Sequence, residues 1–285
     1  MHPARIAELL APFLEKICHS EPARTGGEEP AFLSPAQLQS ISTYIDLLLR
    51  WNARINLTAV RDPEQIVTRH FGESLFAARH LFPSEVRVGS GLRPDPVERS
   101  PATQDDVSTS AAEHRGRAAL QGRAKGLGEF GALAPGVRAG NRPTLADLGS
   151  GAGFPGIPIK LWAPQISLTL IESNHKKAAF LREVTRSLTL TDVDIVVARA
   201  ESLVDVTFDI VTLRAVERFE AALPVAARLV CPDGRLALLV SSAQLDQACS
   251  CLPKLTWSSP VPIPLSRNRV VIVGSHRKQS GEPRL

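Results

Sequence analysis

Apolar side chains recur at helical spacing through the N-terminal part of the chain. The spacing predicts an amphipathic helix over residues 3–18 and two further helices that begin at Ser34 and at Asp62. In the stretches SPAQ and DPEQ, each start has a capping residue, then a proline, and a glutamine at the third helical position. The apolar stripes of these two helices are Leu38, Ile41, Ile45, Leu48 and Leu49, and Ile66, Val67, Phe71, Leu75 and Phe76. We therefore expect a small helical subdomain over residues 1–83.

From residue 144 the pattern changes to short apolar runs that alternate with helical stretches. Strands are predicted at TLADL, ISLTLIES, VDIVVARAE, FDIVTLRAV, RLALLVSS and RNRVVIVGS, and helices at NHKKAAFLREVTRSL, at FEAALPVAARLV and near residues 243–251, with CPDG as a turn. Such alternation is typical of an α/β domain whose mostly parallel sheet is covered on both faces. A ligand of such a domain binds at the carboxyl ends of the strands.

Two segments lack this periodicity. Residues 84–143 are rich in Gly, Pro, Ser, Ala and Arg, and we interpret them as a flexible low-complexity insertion, with a basic RNA-contacting arm as the alternative. The chain then ends in a basic tail, residues 276–285, after the α/β domain of residues 144–275.

Composition narrows the class of protein. No apolar run approaches the roughly 18 residues that a membrane helix needs, and charged residues interrupt the apolar N-terminus, unlike in a signal peptide. The four cysteines form neither a paired framework nor a zinc-ligand pattern, so we expect reduced thiols, no metal and a cytoplasmic protein. The net charge of +4 is compatible with a phosphate-rich partner.

The stretch TLADLGSGAGFPGIPIKLW, residues 144–162, holds the candidate ligand loop. Its G-x-G-x-x-G segment, with Glu172 about 20 residues further on, also fits the dinucleotide loop of a dehydrogenase. However, Pro155 and Pro158 remove N–H donors that a pyrophosphate would use. The acid Asp147 at the strand end suits a cationic ligand such as S-adenosylmethionine.

Two acids follow later strands. At the tip of the second strand, the carboxylate of Glu172 is expected to accept hydrogen bonds from both ribose hydroxyls, although a solvated strand-end acid would look the same in sequence. Glu201, after the third strand, lies either near the adenine edge or simply at the start of a helix.

Several motifs together resemble the RsmG (GidB) family of 16S ribosomal RNA methyltransferases. In order and spacing, these are DLGSGAGFPGIPIKLWAP, LIESNHKKAAFLREV, ARAES and FDIVTLRAV, preceded by LLRWNARINLTAVRDPEQIVTRHFGESL. The resemblance covers about 34–83 and 144–275. It implies a class I S-adenosylmethionine-dependent methyltransferase fold (Rossmann-like, with a mostly parallel seven-stranded sheet). It also implies methyl transfer to N7 of a guanine in the decoding-region loop of 16S rRNA.

The resemblance also carries over cofactor contacts, onto Gly149, Phe154, Ala200, Glu201 and Arg214, to which the fold argument adds Glu172. Two departures stand out. The insertion is much longer than the family's link, and Val240-Ser241-Ser242 stands where the family commonly has a Lys-Gly pair.

Arg214 is the candidate catalytic residue. Guanine N7 has an in-plane lone pair, so no base is needed, and catalysis reduces to placing N7 in line with the methyl group. We expect the guanidinium at the mouth of the site to bind guanine O6, with Asp209 or Glu217 offsetting its charge. The alternative is a structural ion pair.

Other polar residues carry weaker predictions. The helix with Arg69 and His70 is expected near the glycine loop, and Asn52 and Asn56 either bind that loop or cap their helix. RNA-contacting basic residues are Arg50, Arg54, Arg61, Arg267, Arg269, Arg277 and Lys278, with a solvated surface as the alternative.

The expected partner is 16S rRNA or the small ribosomal subunit, and the expected oligomeric state is a monomer. Two other functions stay open: a class I methyltransferase with a different substrate, and a non-catalytic S-adenosylmethionine-binding protein.

Overall fold

A computed structural model describes residues 1–15, 33–83, 142–216 and 218–276. The predicted insertion therefore lies outside the described residues except for its last two, and the predicted tail except for His276. Glu217 also lies outside them. None of the helices that the model describes is long and apolar enough to cross a membrane.

The N-terminal helices begin where the capping residues predict. The helical segments are α1 (Pro3–Leu14), α2 (Pro35–Asn52), α3 (Pro63–Ile66), a π-helical turn (Val67–Gly72) and α4 (Glu73–Leu81). The Ser34 hydroxyl accepts from the backbone N–H of Gln37, whose side chain accepts from the Ser34 N–H in return, and Asp62 accepts from the N–H of Gln65. These capping hydrogen bonds satisfy N–H groups that have no partner within the helix.

The third predicted helix differs from the expectation in its middle. Its residues run without a break from Pro63 to Leu81, but Val67–Gly72 form a π-helical turn rather than a regular α-helical one. At Gly72 a Cβ atom would lie 2.6 Å from the ring of Phe13, so this turn packs directly against α1. Apolar spacing carries no signal for such a widened turn, which often occurs at functional sites.

In the α/β part, the described residues from 142 onwards form eight strands. In chain order its elements are β1 (Thr144–Leu148), α5 (Gly156–Trp162), β2 (Ser167–Ile171), α6 (His175–Ser187), β3 (Val193–Val196), β4 (Phe208–Arg214), α7 (Phe219–Arg228), β5 (Val230–Ser241), α8 (Leu245–Cys251), β6 (Leu255–Trp257), β7 (Val261–Pro262) and β8 (Arg269–His276). Short 3₁₀ turns occupy Ala200–Ser202 and Ser242–Gln244.

The sheet has the order β3-β2-β1-β4-β5-β8-β6, with β7 added to β8. Strands β1 to β5 are parallel, whereas β8 pairs antiparallel with β5 and β6 pairs antiparallel with β8. This confirms the predicted class I methyltransferase fold, whose parallel sheet is closed by an antiparallel hairpin. The two-residue strand β7 is an addition to the seven-stranded sheet that the family resemblance implies.

The prediction of a turn at CPDG is wrong. These four residues belong to β5, which pairs with β4 first at Phe208↔Val230 and next at Ile210↔Arg235, so the extra residues form a bulge. At Gly234 a Cβ would lie 2.8 Å from the carbonyl oxygen of Asp209. The glycine therefore serves the close approach of two strands, and not a chain reversal.

The N-terminal helices and the sheet share one hydrophobic core. A single cluster of buried side chains contains Tyr44 of α2 and Phe71 of the π turn together with Leu145 of β1 and Phe180 of α6. A second cluster on the other face of the sheet joins β4 and β5 to α7 and α8. The helices are thus packed onto the same side of the molecule as the glycine-rich segment after β1.

Candidate functional site

Four parallel strands bring most of the predicted site residues to one edge of the sheet. In the order β3-β2-β1-β4, all four strands point the same way, so their carboxyl ends lie side by side. Gly149 and Glu172 directly follow β1 and β2, and Arg214 is the last residue of β4. The turn Ala200–Ser202 follows β3. This edge is where ligands bind in open α/β sheets.

The glycine loop after β1 is shaped by three residues with positive φ. Gly149, Gly151 and Gly153 have φ angles of +69°, +56° and +84°, which side chains other than hydrogen rarely permit. The N–H groups of Gly149 and Ser150 donate to the Ile171 carbonyl at 2.9 and 3.1 Å. The loop is therefore tied to the end of β2.

Asp147 supports this loop from beneath. Its buried carboxylate accepts from the Gly156 N–H at 3.2 Å and from the Thr212 hydroxyl at 2.9 Å. Burial raises the pKa of Asp147 to about 6, against these hydrogen bonds, which lower it. Asp147 thus acts on the loop and on the first turn of α5, and not at a ligand-facing surface as its charge led us to expect.

Glu172 is held at the tip of β2 by backbone donors. One carboxylate oxygen accepts from the Gly151 N–H at 2.9 Å and the other from the Asn174 N–H at 2.7 Å, and the residue is only 7% exposed. A carboxylate offers about four lone-pair sites. Two acceptor positions are left after these bonds, the number that a pair of ribose hydroxyls needs.

Phe154, at the far end of the loop, is enclosed by aromatic rings of the N-terminal helices. Its ring centroid lies 5.4 Å from that of Tyr44 in a parallel stack, 5.1 Å from Phe71 edge-on and 4.9 Å from His70. The Tyr44 hydroxyl also donates a short hydrogen bond to the Ala152 carbonyl. The expectation that the Arg69–His70 helix lies near the glycine loop is therefore confirmed.

Arg214 is almost entirely buried, rather than open at a mouth. Its Nη2 atom lies 2.8 Å from the Arg69 carbonyl oxygen, 3.1 Å from His70 Nδ1 and 2.9 Å from Glu73 Oε2. Glu73 Oε2 also lies 3.0 Å from Nε of Arg269. The side chains of Arg214 and Glu73 are 9% and 5% exposed. All three acceptors of Arg214 come from the N-terminal helices.

The acid beside Arg214 is therefore not the one predicted. Asp209 lies near the opposite end of β4, where its carboxylate accepts from the N–H and the hydroxyl of Thr144, each at 2.8 Å. A separation of five residues puts Asp209 and Arg214 on opposite faces of the strand. The other predicted acid, Glu217, lies outside the described residues. Glu73 was missed, although an acid inside the apolar run FGESLF was a signal that could have found it.

His70 is a neutral hydrogen-bond acceptor in this cluster. Burial, together with the nearby charges of Arg214 and Arg69, lowers the pKa of His70 to about 3. Because Nδ1 faces the Arg214 guanidinium, it must be the unprotonated nitrogen, and Nε2–H donates to the Thr58 hydroxyl at 2.7 Å. Packing and hydrogen bonding thus explain why a histidine occupies position 70.

Asn52 has the structural role rather than the loop-binding one. Its side-chain oxygen accepts from the N–H groups of Leu57 and Thr58, and its amide donates to the Thr58 carbonyl. It fixes the chain just after α2 and so positions the Thr58 hydroxyl beside His70.

The remaining site residues are less constrained. Glu201 has an exposed side chain in the middle of the 3₁₀ turn Ala200–Ser202, and its carbonyl accepts from Arg228 at 3.2 Å. Ser241, one of the two serines at the predicted departure from the family pattern, caps the next turn through Gln244, whose side-chain oxygen accepts from the Ser241 N–H and hydroxyl. Over the described ranges, no three His, Cys, Asp or Glu side chains come together to hold a metal.

Comparison with known proteins identifies the family. The family model for rRNA small subunit methyltransferase G matches residues 37–92 and 132–259, more than half of the chain. Proteins named ribosomal RNA small subunit methyltransferase G from Xylella fastidiosa (strain 9a5c) and Xanthomonas euvesicatoria are each 32% identical. They match over 74% and 73% of this chain and 71% and 68% of their own length.

Among solved structures, precorrin-6y C5,15-methyltransferase from Geobacter metallireducens is 16% identical, with a TM-score of 0.41 over 48% of this chain and 81% of its own. The family match covers nearly all of α2, all of α3 and α4, and the glycine loop. The chain belongs to the ribosomal RNA small subunit methyltransferase G family.

Proposed function

We propose that this protein transfers a methyl group from S-adenosylmethionine to N7 of a guanine in the decoding-region loop of 16S rRNA. The observation that carries the proposal is the pairing of Glu172 with the glycine loop. A carboxylate fixed at the tip of β2 with two free acceptor positions suits the ribose of a nucleoside cofactor. Family membership then selects methyl transfer to small-subunit rRNA over dehydrogenase chemistry.

The residues at this edge fit S-adenosylmethionine chemically. In the proposed arrangement, Glu172 binds the ribose hydroxyls, and Ala200 and Glu201 border the adenine. Gly149 lets the backbone approach the methionine part, while Phe154 keeps the loop in shape. The cluster of Arg214, Arg269 and Glu73 carries two positive charges against one negative charge, which favours an acceptor oxygen of the cofactor or the base.

The protein's contribution to the reaction is orientation and exclusion of water. When bound, the sulfonium supplies an activated methyl group, and the lone pair of guanine N7 forms the new C–N bond as the C–S bond breaks. Because N7 carries no proton, no side chain has to act as a base. Arg214 is proposed to donate to guanine O6 beside N7, which would orient the base so that N7 faces the methyl group.

The proposed substrate is 16S rRNA, presented free or within the small subunit. Exposed basic side chains such as Arg50, Arg54, Arg61 and Arg267 are available to contact phosphates. We further propose that the protein works as a monomer in the cytoplasm, where the small subunit is found. Sedimentation of the purified protein would test whether it is a monomer.

The decisive experiment measures methyl transfer from labelled S-adenosylmethionine to small subunits from a strain that lacks this enzyme. The modified base is mapped by borohydride reduction and aniline cleavage. We expect one cleavage, in the decoding-region loop, and none with Gly149→Asp, whose side chain would occupy a loop position with positive φ. Arg214→Ala should retain the fold and lose turnover.

The other outcomes separate the alternatives. Label in RNA without that cleavage would indicate a different atom or base. No label, with cofactor still bound, would indicate a non-catalytic binding protein and would direct attention to Ser241 and Ser242.

A further inference from the structure

Several polar side chains between Asn52 and Ser74 are linked by hydrogen bonds that end at Arg214. Asn52 fixes the backbone of Thr58, the Thr58 hydroxyl accepts from His70 Nε2, and His70 Nδ1 accepts from Arg214. In addition, the Ser74 hydroxyl donates to the His70 carbonyl at 2.6 Å. Residues far apart in the sequence therefore converge on one guanidinium of the α/β domain.

Glu73 is the charged member of this arrangement. Its carboxylate is 5% exposed and lies within 3.0 Å of both Arg214 and Arg269, which come from β4 and β8. Of the two arginines, Arg214 is the more deeply buried, with a side chain 9% exposed against 24% for Arg269. Arg214 Nε is also buried without a hydrogen-bond partner, so the contacts that fix its guanidinium run through Nη2 to the N-terminal helices.

We propose that Glu73 is a positioning residue that fixes Arg214 for the cofactor and guanine, so that the N-terminal helices complete the methyl-transfer site. This inference rests on the proposed function, because it takes Arg214 to be a ligand-contacting residue. Glu73 itself touches Arg214 and Arg269, and acts on the ligands through Arg214.

Positioning of Arg214 should raise ligand affinity, because an unrestrained arginine side chain samples many rotamers. Such a side chain loses rotamer entropy when a ligand immobilises it. With Glu73, His70 and the Arg69 carbonyl fixing Arg214 in advance, that entropy is not lost again when ligand binds. A carboxylate that merely stabilised the fold would leave ligand affinity unchanged in the folded protein.

The test compares S-adenosylhomocysteine affinity, by titration calorimetry, in full-length variants. Glu73→Gln keeps the shape of the side chain and removes its charge, and Glu64→Gln is the matched control. Glu64 pairs with Arg5 on the exposed surface of the same helical region. We expect Glu73→Gln to raise the dissociation constant about tenfold and Glu64→Gln to leave it within twofold of the unmodified protein.

A double-variant cycle shows whether the effect passes through Arg214. In protein that already carries Arg214→Met, adding Glu73→Gln should change the dissociation constant by less than twofold. An equal tenfold loss in both backgrounds would overturn the proposal, and so would unchanged affinity in a folded Glu73→Gln protein. All titrations are made well below the unfolding temperature of each variant, which is measured separately.

A second variant covers the case in which Glu73→Gln does not fold. Glu73→Asp keeps the charge and withdraws the carboxylate by one methylene group, and should weaken S-adenosylhomocysteine binding by about threefold to fivefold. Affinity equal to that of the unmodified protein would overturn the proposal. If the unmodified protein does not bind S-adenosylhomocysteine, then the proposed function fails, and that result is distinct from a failure of the positioning role.

Discussion

Tyr44 and Phe154 stack face to face, with ring centroids 5.4 Å apart and planes 3° from parallel. Tyr44 belongs to α2 and Phe154 to the glycine loop, and the Tyr44 hydroxyl also donates to the Ala152 carbonyl two residues earlier. The shape of the loop therefore depends on a helix that precedes it by about a hundred residues in sequence. Because of this contact, substitutions in the N-terminal helices are expected to affect cofactor binding.

The buried Tyr44 hydroxyl should resist ionisation. Burial raises the pKa of Tyr44 well above its ordinary value of 10.0, and the nearby Asp147 carboxylate raises it further. The folded state therefore binds the phenolic proton more tightly than the unfolded state does. Stability is retained below pH 10 and falls as the pH rises above the unfolded pKa.

Tyr44 is the only tyrosine in the chain, so phenolate absorbance at alkaline pH reports on it alone. We expect no phenolate signal near pH 10 in the folded protein and about half of the full signal at the same pH once the protein is unfolded in urea. A normal titration in the folded state would show that the hydroxyl is open to water.

Two glycines of the loop should differ sharply in their tolerance of alanine. At Gly153 a Cβ would collide with the Tyr44 hydroxyl and lie 2.7 Å from Ile157 Cδ1, whereas at Gly151 its nearest neighbour is the Gly149 carbonyl oxygen at 3.7 Å. Both have positive φ, which costs about 1–2 kcal/mol for alanine. Gly153→Ala should lose about 1–3 kcal/mol more than Gly151→Ala because of overpacking.

Urea denaturation of the two variants measures this difference, and the same proteins should rank alike in S-adenosylhomocysteine affinity. Equal losses in the two variants would mean that Tyr44 does not constrain the loop.

The sequence was sufficient for the parts of this fold with a strong local signal. Ser34 and Asp62 cap their helices as predicted, and the six predicted strands are present. The missed strands, Leu255–Trp257 and Val261–Pro262, are too short to show periodicity, and they exist because β8 offers them a partner. The turn predicted at CPDG failed for a similar reason, since its outcome was set by pairing with β4.

The candidate site shows the same division. The placement of Gly149 and Glu172 at the carboxyl edge of the sheet was predictable because each directly follows a strand with a clear apolar pattern. The acid beside Arg214 was not, because Glu73 precedes it by 141 residues and only tertiary packing brings them together. Asp209 was predicted because it is close to Arg214 in the sequence. In a β-strand, however, residues that are five positions apart lie on opposite faces.

Removing Glu73 should destabilise the protein more than removing Arg269. Glu73→Gln removes the carboxylate that pairs with the buried Arg214 and with the partly buried Arg269, whereas Arg269→Met leaves the Arg214–Glu73 pair intact. Loss of one partner of a buried pair typically costs about 3–5 kcal/mol. We expect a cost in that range for Glu73→Gln, and about 1–2 kcal/mol for Arg269→Met, which loses a hydrogen bond to the Leu239 carbonyl. Urea denaturation at pH 7.5 checks the order, and the reverse order would rule out this account of the charges.

His70 should make the protein less stable in mild acid. Its pKa is 6.5 before perturbation and about 3 in the folded state, mainly because of burial. Between these values the unfolded chain binds more protons, so stability falls as the pH drops below 6.5, by at most about 1.4 kcal/mol per pH unit. Asp147 acts in the opposite sense between pH 6 and 3.8, because its folded pKa is raised to about 6.

Replacing His70 removes one of these two opposed contributions. Compared with the unmodified protein, His70→Gln should lose less stability between pH 6.5 and 5, whatever its stability at neutral pH. Urea unfolding at pH 7, 6 and 5 gives the comparison, and the other histidines cancel because both proteins contain them. Parallel pH dependences would mean that His70 titrates normally in the folded state.

Glu172 and Glu201 provide the sharpest comparison of the proposed cofactor contacts. Both carboxylate oxygens of Glu172 accept backbone N–H bonds, so Glu172→Gln would point an amide NH₂ group at the N–H of either Gly151 or Asn174. It would also remove charge from the proposed ribose partner. A hydrogen bond to a charged group is worth about 1.5–3 kcal/mol, so we expect at least a tenfold rise in the dissociation constant of S-adenosylhomocysteine.

Glu201→Gln should instead change that constant by less than threefold. The Glu201 side chain is exposed, and water can replace a contact that it makes at the adenine edge. Calorimetric titration of the two variants measures both effects. The control is Glu183→Gln, which changes a carboxylate that accepts from the Trp51 indole N–H. A tenfold loss for Glu201→Gln would make this residue an adenine contact rather than the start of a turn. An unchanged constant for Glu172→Gln would remove the ribose contact on which the assignment of the cofactor depends.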